Sequence, residues 1–478
     1  MKNNYNKIIL LTTAFTFCWL NFLQGQTIAA GGWHSVVVCD NGYIKTFGEN
    51  ATGQLGDGTM TDSNLPVTPV GLANVIAVSA GGDQLEAHTI ALKSDGTVWA
   101  WGSNIYGGLG NGTTTNTVVP GQVLILSNVI AISAGGWHSA ALKSDGTVWT
   151  WGWNIDGQLG DGTFVDKVVP AQVPGLTGII AISCGTYHVL ALKNDGTVWA
   201  WGDNISGQIG DNTTVDKTSP VQVSGLTGVS SISAGRFFSL AVKSDGTVWT
   251  WGENLYGQLG NGTTTDSHVP VQVSGLTGIT SATAATGAFH CMAVKNDNTV
   301  WSWGRNTYGN LGDNTVVHKS LPVQMIGVSD VAELAAGTNF SLLAKTDGTF
   351  WGCGRNLSGQ LGDGTFLQRN TATQSTAVCP ILVGIETTEE TVSHDLMVYP
   401  NPSVDGLFTL NIEPENFTSE ESYLQVCNAI GEQVFQLSLN TQMSASQISI
   451  DLSEQPNGIY FLTVTDGQNK FYQKLIKQ

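Results

Sequence analysis

One motif of about 50 residues occurs seven times along this chain of 478 residues, and that repetition limits the possible folds more than any other feature. Each copy contains the anchor Gly-x-Leu/Ile-Gly, and successive anchors are 50 residues apart except for two longer intervals of 54 and 52 residues. The anchors begin at Gly53, Gly107, Gly157, Gly207, Gly257, Gly309 and Gly359. Repeats of this length build propellers, solenoids or arrays, because a single copy cannot bury its own hydrophobic face.

The third copy gives the clearest outline of one repeat. Short apolar runs at 129–133 and 138–143 predict two strands, followed by a tight turn at Ser144-Asp145-Gly146, where Asp-Gly supplies the positive φ that such a hairpin needs. A third strand at 147–151, a long glycine-rich loop and a short strand at 170–173 complete the copy. The sequence shows no helical period. We therefore expect an all-β fold, a seven-bladed β-propeller of four-stranded blades.

Tryptophan and histidine recur at fixed places in the repeat. Eleven of the 15 tryptophans lie in the third strand, where we expect them to pack between neighbouring blades. The recurrent histidines are His34, His88, His138, His188 and His290, and two copies carry Phe238 and Phe340 instead. Phenylalanine could not replace a metal ligand, so we expect buried, hydrogen-bonded structural histidines. The sequence predicts no metal site and no cofactor.

The repeated pattern A-G-x-x-H-S-x-A-L-K-x-D-G-x-V-x-x-W-G-x-N-x-x-G-Q-L-G-x-G resembles that of the regulator of chromosome condensation repeat family, over residues 27–375. The resemblance implies a seven-bladed propeller. Copy one departs from the pattern by Phe47 in place of the second tryptophan and by lacking a full preceding strand, and copy seven has Cys353 at the tryptophan position. Such departures are typical of terminal repeats.

The first 25 residues have the features of a secretory signal peptide, namely two lysines, a continuous apolar run and a polar end. A membrane anchor is the alternative, but the run is short for a bilayer span and no second apolar segment follows it. The repeat pattern ends near Gln374. We predict a signal peptide at 1–25, a propeller at 26–382, an acidic linker at 383–395 and a separate module at 396–478.

The C-terminal module contains short alternating strands, which indicate a small β-sandwich. Its sequence is similar to the type A C-terminal sorting domain of the type IX secretion system of Bacteroidetes-type bacteria. The residues that carry this similarity include Tyr399, Pro400, Asn401, Pro402, Gly458 and Tyr460. The resemblance implies that the module interacts with the secretion machinery, and that the propeller is released outside the cell or stays attached to the outer cell surface.

Composition excludes several classes of function. The formal net charge is −18 and no basic face is visible, so neither nucleic acid nor an anionic membrane is an expected partner. The seven cysteines include no C-x-x-C pair, and we expect small buried thiols, although an exported protein can form disulfides. The common catalytic motifs are missing, so no catalytic residue is assigned and an enzyme is not expected. Recurrent loop aspartates such as Asp161 are expected to bond loop N–H groups rather than Ca²⁺.

The copies differ mainly in two loops. Because successive strands alternate in direction, the loops after strands one and three open on one face, and both spacing irregularities lie in the first of these loops. Their variable positions are rich in aromatic residues with scattered arginines, a composition typical of protein-interface hot spots. We predict partner-binding residues at Trp33, Trp137, Tyr187, Arg236, Phe237, Phe289, Tyr106, Trp153, Tyr256 and Tyr308.

Two functions fit these observations. The first is a secreted or cell-surface interaction module that binds an extracellular protein or glycan through this face. The alternative is a carbohydrate-binding or carbohydrate-active propeller that uses the axial funnel, for which Asp83 and Glu86 are the conspicuous carboxylates. A purely structural role, filling gaps between blades near the axis, is the third interpretation of the first-loop aromatics.

Overall fold

The structure, a computed structural model, describes residues 27–39, 42–83, 86–284, 286–376, 378–379, 397–401, 403–411, 423–428, 433–438, 447–466 and 469–477. The predicted signal peptide and linker, and Pro402, lie outside the described residues. Two compact units, Met1–Ile381 and Leu382–Gln478, make up the chain. Strands, turns and loops account for the described residues, and none of these residues belongs to a helix that could cross a membrane.

Seven four-stranded antiparallel sheets follow one another along the chain, one per repeat, which confirms the predicted seven-bladed β-propeller. Within each sheet the strands are adjacent in chain order. Blades one to four consist of β1 (Ile28–Ala30), β2 (His34–Val38), β3 (Ile44–Gly48), β4 (Ser63–Val67), β5 (Val75–Ala80), β6 (His88–Lys93), β7 (Val98–Gly102), β8 (Thr117–Gln122), β9 (Val129–Ala134), β10 (His138–Lys143), β11 (Val148–Gly152), β12 (Lys167–Gln172), β13 (Ile179–Cys184), β14 (His188–Lys193), β15 (Val198–Gly202) and β16 (Lys217–Gln222). Blades five to seven consist of β17 (Val229–Ala234), β18 (Phe238–Lys243), β19 (Val248–Gly252), β20 (Ser267–Gln272), β21 (Ile279–Thr283), β22 (His290–Lys295), β23 (Thr299–Gly304), β24 (Lys319–Ser329), β25 (Val331–Ala336), β26 (Phe340–Lys345), β27 (Phe350–Gly354) and β28 (Arg369–Gln374).

The second and third strands of each blade form a hairpin whose two ends are shaped by glycine. In blade three, Leu142 lies opposite Val148, and Gly146 closes the turn with a φ of 78°. At the other end of the hairpin Gly152 has a φ of 99°, and a Cβ there would lie 2.5 Å from the carbonyl oxygen of Trp137. Only glycine fits this approach, which brings the end of the third strand against the loop that precedes the second.

The first strands of the seven blades line the axis and contact one another in a closed ring. Serine hydroxyls on these strands accept hydrogen bonds from the next blade, as when the N–H of Ala134 donates to Ser79 and that of Cys184 donates to Ser133, at 3.0 and 2.9 Å. The ring encloses a cavity of about 60 Å³ lined by small residues. A cavity of this size accommodates a few water molecules, so the axis is a packed core rather than a pore.

A buried tryptophan ties each of five blades to the preceding one. The indole N–H of Trp151 donates to the carbonyl oxygen of Gly108 at 2.8 Å. The equivalent bond is made by Trp101, Trp201, Trp251 and Trp303, and all five indoles are fully buried. The predicted packing of these tryptophans between blades is confirmed. Phe47 and Cys353, at this position in blades one and seven, provide no indole N–H.

The seam between blades seven and one is closed by a covalent bond. A disulfide joins Cys39 in blade one to Cys379 after blade seven, 340 residues apart in the sequence. Beside the axis, the backbone N–H of Thr27 donates to both carboxylate oxygens of Glu333, at 3.1 and 3.0 Å. The expectation of thiols is therefore wrong for Cys39 and Cys379, because ring closure brings together two cysteines at unrelated repeat positions. The described cysteines that remain free are Cys184, Cys291, Cys353 and Cys427, and the first three are buried.

Most of the recurrent histidines bond a hydroxyl of the next blade. The Nε2 atoms of His34, His88, His188 and His290 lie 2.8 to 2.9 Å from the hydroxyls of Thr89, Ser139, Ser239 and Ser341 respectively. Burial lowers the pKa of His88 to about 4 and of the other three to about 3, so all four are neutral at physiological pH. His138 is equally buried, but Val189 occupies the sequence position of the hydroxyl residue in the next blade, and both ring nitrogens of His138 lack a hydrogen-bond partner among the described residues. The prediction of a hydrogen-bonded histidine is wrong for His138, because valine replaces the hydroxyl residue.

The C-terminal module is a β-sandwich of a three-stranded and a four-stranded sheet. Its strands are β29 (Met397–Tyr399), β30 (Leu407–Asn411), β31 (Tyr423–Asn428), β32 (Gln433–Ser438), β33 (Gln447–Asp451), β34 (Gly458–Asp466) and β35 (Asn469–Lys477). The core between the sheets includes Phe408, Leu424, Ile450 and Leu462.

The sorting-motif residues flank these strands. Tyr399 ends β29, Pro400 and Asn401 follow it, and Gly458 begins β34. The hydroxyl of Tyr460 donates to the carbonyl oxygen of Pro456 at 2.5 Å, which fixes the turn before β34.

The last described residue closes one corner of the sandwich. The buried ammonium group of Lys477 donates to the carbonyl oxygens of Leu452, Ser453 and Gln455, at 3.1, 2.7 and 2.5 Å. Gly406 lies against the same side chain with a φ of 77°, and a Cβ there would be 2.9 Å from Lys477 Cε. Lys477 thus stabilises the turn after β33 rather than presenting its charge to solvent.

Candidate functional site

The loops after the first and third strands meet on one side of the propeller, here called the first face. In blade three the backbone N–H of Trp153, in the third-strand loop, donates to the carbonyl oxygen of Trp137, in the first-strand loop, at 3.1 Å. The same bond recurs in all seven blades. It joins the most variable positions of each copy in the pairs Trp33–Glu49, Ala87–Ser103, Trp137–Trp153, Tyr187–Asp203, Phe237–Glu253, Phe289–Arg305 and Asn339–Arg355. The scaffold therefore places two variable side chains side by side on every blade.

Five rings on blades two to five form one continuous cluster, here called the aromatic patch: Tyr106, Trp137, Trp153, Tyr187 and Phe237. Trp137 and Trp153 contact edge to face with ring centres 5.1 Å apart, and each lies within 6 Å of Tyr187. Tyr187 stacks on Phe237 at 4.8 Å, and Tyr106 lies 5.7 Å from Trp153. All five side chains are partly exposed, so the patch is a surface as well as a packing unit.

Arginines extend the cluster towards blade six. The Arg236 guanidinium lies 5.4 Å from the ring centre of Phe237 and 5.3 Å from that of Phe289. Tyr256 contacts Phe289 edge to face at 5.5 Å, and Arg305 lies over Tyr256 at 5.1 Å. Phe289 is only 8% exposed, so it supports the cluster and offers little contact area.

Two predicted residues lie apart from this cluster. Arg355 stacks on Trp33 with its guanidinium carbon 4.0 Å from the ring centre. Tyr308 lies close enough to act electrostatically on the same guanidinium, whose pKa is lowered mainly by burial. The structure thus brings together the aromatic patch, Arg236, Phe289 and Tyr256, and it places Trp33 and Tyr308 around Arg355.

An ion pair links the longer first-strand loop of copy two, which contains Asp83 and Glu86, to blade five. The guanidinium of Arg236 binds the carboxylate of Asp83 at 2.7 and 3.0 Å, and the hydroxyl of Tyr187 lies 3.4 Å from the same carboxylate. Burial raises the pKa of Asp83, and Arg236 opposes this rise. Glu86 accepts a hydrogen bond from the hydroxyl of Ser103 at 2.5 Å. Both carboxylates that the axial-funnel alternative relied on therefore have partners within the protein.

The longer first-strand loop of copy six, which contains Thr286, lies against the inner rim of blades three and four. The hydroxyl of Thr286 is 2.9 Å from the carbonyl oxygens of both Ala134 and Cys184, which end the first strands of those blades. The N–H of Gly287 donates to the hydroxyl of Thr186 at 2.9 Å. Together with the Asp83–Arg236 ion pair, these contacts cross the ring on the first face, so side chains and backbone of the two longer loops occupy space beside the axial opening.

Exposed aliphatic side chains surround the aromatic patch, and the sequence interpretation did not assign them to the site. They occupy the position after the Asn of W-G-x-N, at the tip of the third-strand loop. Their exposed fractions are 42% for Ile105, 59% for Ile155, 71% for Ile205, 61% for Leu255 and 60% for Leu357. An aliphatic residue at one loop position in five of seven copies was the available signal. Because four of the five lie on blades two to five, they enlarge the apolar surface around the patch.

Charge is distributed unevenly around the first face. The paired third-loop position is acidic in blades one, four and five, at Glu49, Asp203 and Glu253, and basic in blades six and seven. Burial raises the pKa of Glu49 to about 7 and that of Asp203 to about 6, and it also raises the pKa of Glu253. The amides of Gln54 and Gln258 donate to Glu49 and Glu253, at 3.4 and 3.1 Å.

The recurrent loop aspartates bond within their own loops, as predicted from their spacing. Asp161 accepts hydrogen bonds from the N–H and hydroxyl of Thr163 at 2.9 and 2.7 Å, and the ammonium group of Lys167 lies 3.0 Å from it. Asn154 donates to the carbonyl oxygens of Thr163 and Val165, at 3.0 and 3.1 Å. Within the described ranges, His, Cys, Asp and Glu side chains form no group able to hold a metal ion.

Comparison with protein families agrees with both resemblances found in the sequence. A family model described as RCC1-like domain matches residues 13–285, and models of the regulator of chromosome condensation (RCC1) repeat match residues 282–310, 297–344 and 331–360. A model of the secretion system C-terminal sorting domain matches residues 397–478.

Individual relatives share short segments or the fold. The E3 ubiquitin-protein ligase HERC2 of Homo sapiens is 34% identical over 93 residues, which are 20% of this chain and 2% of that protein. The ultraviolet-B receptor UVR8 of Arabidopsis thaliana is 32% identical over 121 residues, 25% of this chain and 27% of the receptor, so this chain spans only a small part of both relatives. Among solved structures, Prp20p from Saccharomyces cerevisiae superposes with a TM-score of 0.62 at 23% identity, over 70% of this chain and 86% of that one. Human WBSCR16 gives 0.58 at 24% identity, over 65% and 85%.

Proposed function

Because the chain belongs to the RCC1-like domain family and carries a secretion system C-terminal sorting domain, we propose that it is an interaction propeller that acts outside the cell. It binds a macromolecular partner through its first face, and this partner is a protein rather than a glycan. The sorting domain points to export and to a cell-surface or extracellular location. The signal peptide at 1–25 would supply the first step of that export.

The aromatic patch is the observation that carries this proposal. Trp137, Trp153 and Tyr187 form its centre, and ring-to-ring contacts hold them in place before any partner arrives. Large aromatic side chains that are already ordered lose little conformational entropy on binding, which is why they are enriched in interface hot spots. The exposed aliphatic tips around them add apolar area that water would leave on association.

The contacts that cross the ring beside the axial opening favour a protein interface over a carbohydrate funnel. A sugar-processing site needs a recess with free carboxylates, whereas Asp83 is bound to Arg236 and Glu86 to Ser103. What the first face offers instead is a broad rim with apolar loop tips. Such a surface fits a protein partner of matching shape better than a small glycan.

Site-specific photo-cross-linking of the mature protein tests the proposal. A photoreactive residue at Ile155, on the first face, should give adducts with an extracellular protein, whereas the same residue at Ser144, in a turn on the opposite face, should not. Combining the Ile155 probe with Trp153→Ala and Tyr187→Ala should abolish the adduct, provided that the thermal midpoint shows a folded propeller. Equal adducts from both faces, or an adduct that survives both alanine substitutions, would contradict the proposal.

The export route has its own test. Removal of residues 396–478 should leave the propeller folded but trapped in the periplasm, as judged by cell fractionation. Delivery of the truncated chain to the cell surface or medium at the normal rate would refute the role of the C-terminal module.

A further inference from the structure

Carboxylates cluster beside the aromatic patch where blades three and four meet. Asp203 follows the third strand of blade four, and its backbone N–H donates to the carbonyl oxygen of Tyr187 at 3.0 Å. Asp156 lies three residues after Trp153 in the neighbouring loop. The exposed Asp216 accepts a hydrogen bond at 2.9 Å from the N–H of Asn204, the residue after Asp203. Burial raises the pKa of both Asp156 and Asp203, and repulsion among the three carboxylates adds to this rise. The three residues are here called the acidic sector.

The described residues supply no cation to this sector. The lysines of the two loops are engaged elsewhere, since Lys167 pairs with Asp161 at 3.0 Å and Lys217 with Asp211 at 2.8 Å. On the same face, by contrast, the buried carboxylate of Asp83 is compensated by Arg236 at 2.7 Å. The acidic sector is therefore a place where bringing in a positive charge would relieve both the repulsion and the cost of burial.

Buried glutamine amides in the same two loops face these carboxylates. In blade five the amide of Gln258 reaches Glu253 at 3.1 Å. In blades three and four the fully buried amides of Gln158 and Gln208 oppose the rise in the pKa of Asp156 and Asp203 respectively, although their Nε2 atoms make no hydrogen bond of normal length within the described chain. Neutral amides thus offset only part of the charge of these two carboxylates, which leaves the acidic sector able to attract a cation.

From this arrangement we infer that the acidic sector binds a lysine or arginine side chain of the partner protein, inserted beside Trp153 and Tyr187. This inference rests on the proposed function and specifies the chemistry of its partner. Aromatic faces next to carboxylates favour a cation, because the ring quadrupole and the carboxylates attract the same charge. The exposed Ile155 and Ile205 require apolar neighbours, so the occupant is a protein loop in which a basic residue is flanked by aliphatic or aromatic residues.

Charge complementarity supports the same occupant. The chain carries a formal net charge of −18, which steers basic surfaces towards it at low ionic strength. The arginines Arg236, Arg305 and Arg355 of the first face lie on blades five to seven, whereas the lysines of the blade three and blade four loops, Lys167 and Lys217, already pair with aspartates. A basic loop would be attracted to one side of the face and repelled by the other, which fixes its orientation.

Selection from a phage-displayed library of disulfide-closed random peptides tests this inference on the full mature protein. Peptides enriched on the wild type should combine lysine or arginine with leucine, isoleucine or an aromatic residue. A selected synthetic peptide should bind the double variant Asp156→Asn, Asp203→Asn at least about tenfold more weakly, and raising the salt concentration should weaken wild-type binding more than variant binding. The double variant Asp145→Asn, Asp195→Asn changes the same charge on the opposite face and should bind like the wild type.

Different failures have different meanings. Peptides that lack basic residues, yet lose binding on Trp153→Ala and Tyr187→Ala, would overturn the cation-binding inference and leave the proposed interface intact. Enrichment that is insensitive to these two alanine substitutions would overturn both. Glycan-array binding that depends on Trp153 would replace the protein partner with a carbohydrate, and it would also refute the inference.

Discussion

Removing the disulfide between Cys39 and Cys379 should weaken the propeller at the seam between blades seven and one. That seam lacks the indole bond that other blades make, since Phe47 takes the tryptophan position. It retains hydrogen bonds from Thr27 to Glu333, from the hydroxyl of Ser35 to the carbonyl oxygen of Gln360, and between Gly364 and Asn64. The double variant Cys39→Ala, Cys379→Ala removes the covalent closure and leaves these contacts in place.

The expected loss of stability follows from the length of chain that the disulfide closes. For a separation of 340 residues, the chain-entropy relation gives about 6 kcal/mol. This is an upper bound, because a reduced denatured chain retains residual structure, and disulfides typically contribute about 2 to 4 kcal/mol. A loss of about 3 to 6 kcal/mol in the free energy of unfolding is therefore expected. Domains commonly have only about 5 to 15 kcal/mol of stability, so the ring should open readily without the bond.

Denaturant unfolding and hydrogen exchange measure this effect together. The reduced wild type and the double variant should unfold at the same, lower denaturant concentration than the oxidised wild type. In exchange experiments the N–H of Gly364, bonded to Asn64 at 3.1 Å across the seam, should lose more protection than that of Gly162, which makes the equivalent bond to Thr218 at 2.8 Å between blades three and four. An unchanged midpoint would refute the entropic argument. Equal loss of protection at both positions would refute the seam as the place where the ring first opens.

Three further predictions concern buried polar groups. Val189→Thr should stabilise the propeller by about 1 kcal/mol in denaturant unfolding, because a hydroxyl there would give His138 the partner that its counterparts have; a lower midpoint would contradict this. Burial lowers the pKa of His138 to about 3 from its ordinary 6.5. Below pH 6.5 the unfolded chain therefore binds a proton at this residue that the folded chain does not bind, so the free energy of unfolding decreases as the pH is lowered. The variant His138→Phe should therefore reduce the slope of unfolding free energy against pH between 6 and 4 by about 1.4 kcal/mol per pH unit, and an unchanged slope would exclude a buried neutral histidine. In the C-terminal module, Lys477→Met should lower the thermal midpoint and impair export, because three carbonyl oxygens lose their donor. Lys474→Met removes the same charge and should have little effect on export. Equal effects of the two substitutions on export would show that the hydrogen bonds of Lys477 are not the cause.

The propeller could be predicted from the sequence because each copy repeats the same local chemistry. Asp-Gly turns, alternating tryptophans and the Gly-x-Leu/Ile-Gly anchor each specify a local structure, and seven copies specify the ring. What the repeats could not reveal are contacts between different copies at non-equivalent positions. The Cys39–Cys379 disulfide is one such contact, and the missing partner of His138 is another, since it depends on a single valine in the following blade.

The sequence indicated which loops carry the candidate site but not how the residues of the site contact one another. Variation among the copies indicated the correct loops, and ring contacts link eight of the ten predicted residues. The pairing of Arg236 with Asp83 joins loops 153 residues apart in the sequence, so no local pattern could indicate it. The aliphatic tips were overlooked because exposed isoleucine is unremarkable in a single copy, and only its recurrence beside the aromatic patch gives it meaning.

The backbone bond between the first and third loops explains how one scaffold can carry such different side chains on its first face. It is made in all seven blades, although the donor residue is a glutamate, serine, tryptophan, aspartate or arginine and the acceptor is as different as Ala87 and Trp137. Since the bond uses main-chain atoms only, neither partner's side chain is needed to hold the loop. Indole, serine and histidine contacts deeper in the seams supply the stability. Substitutions on the first face should consequently alter binding far more than folding, which is the property that a recognition surface requires.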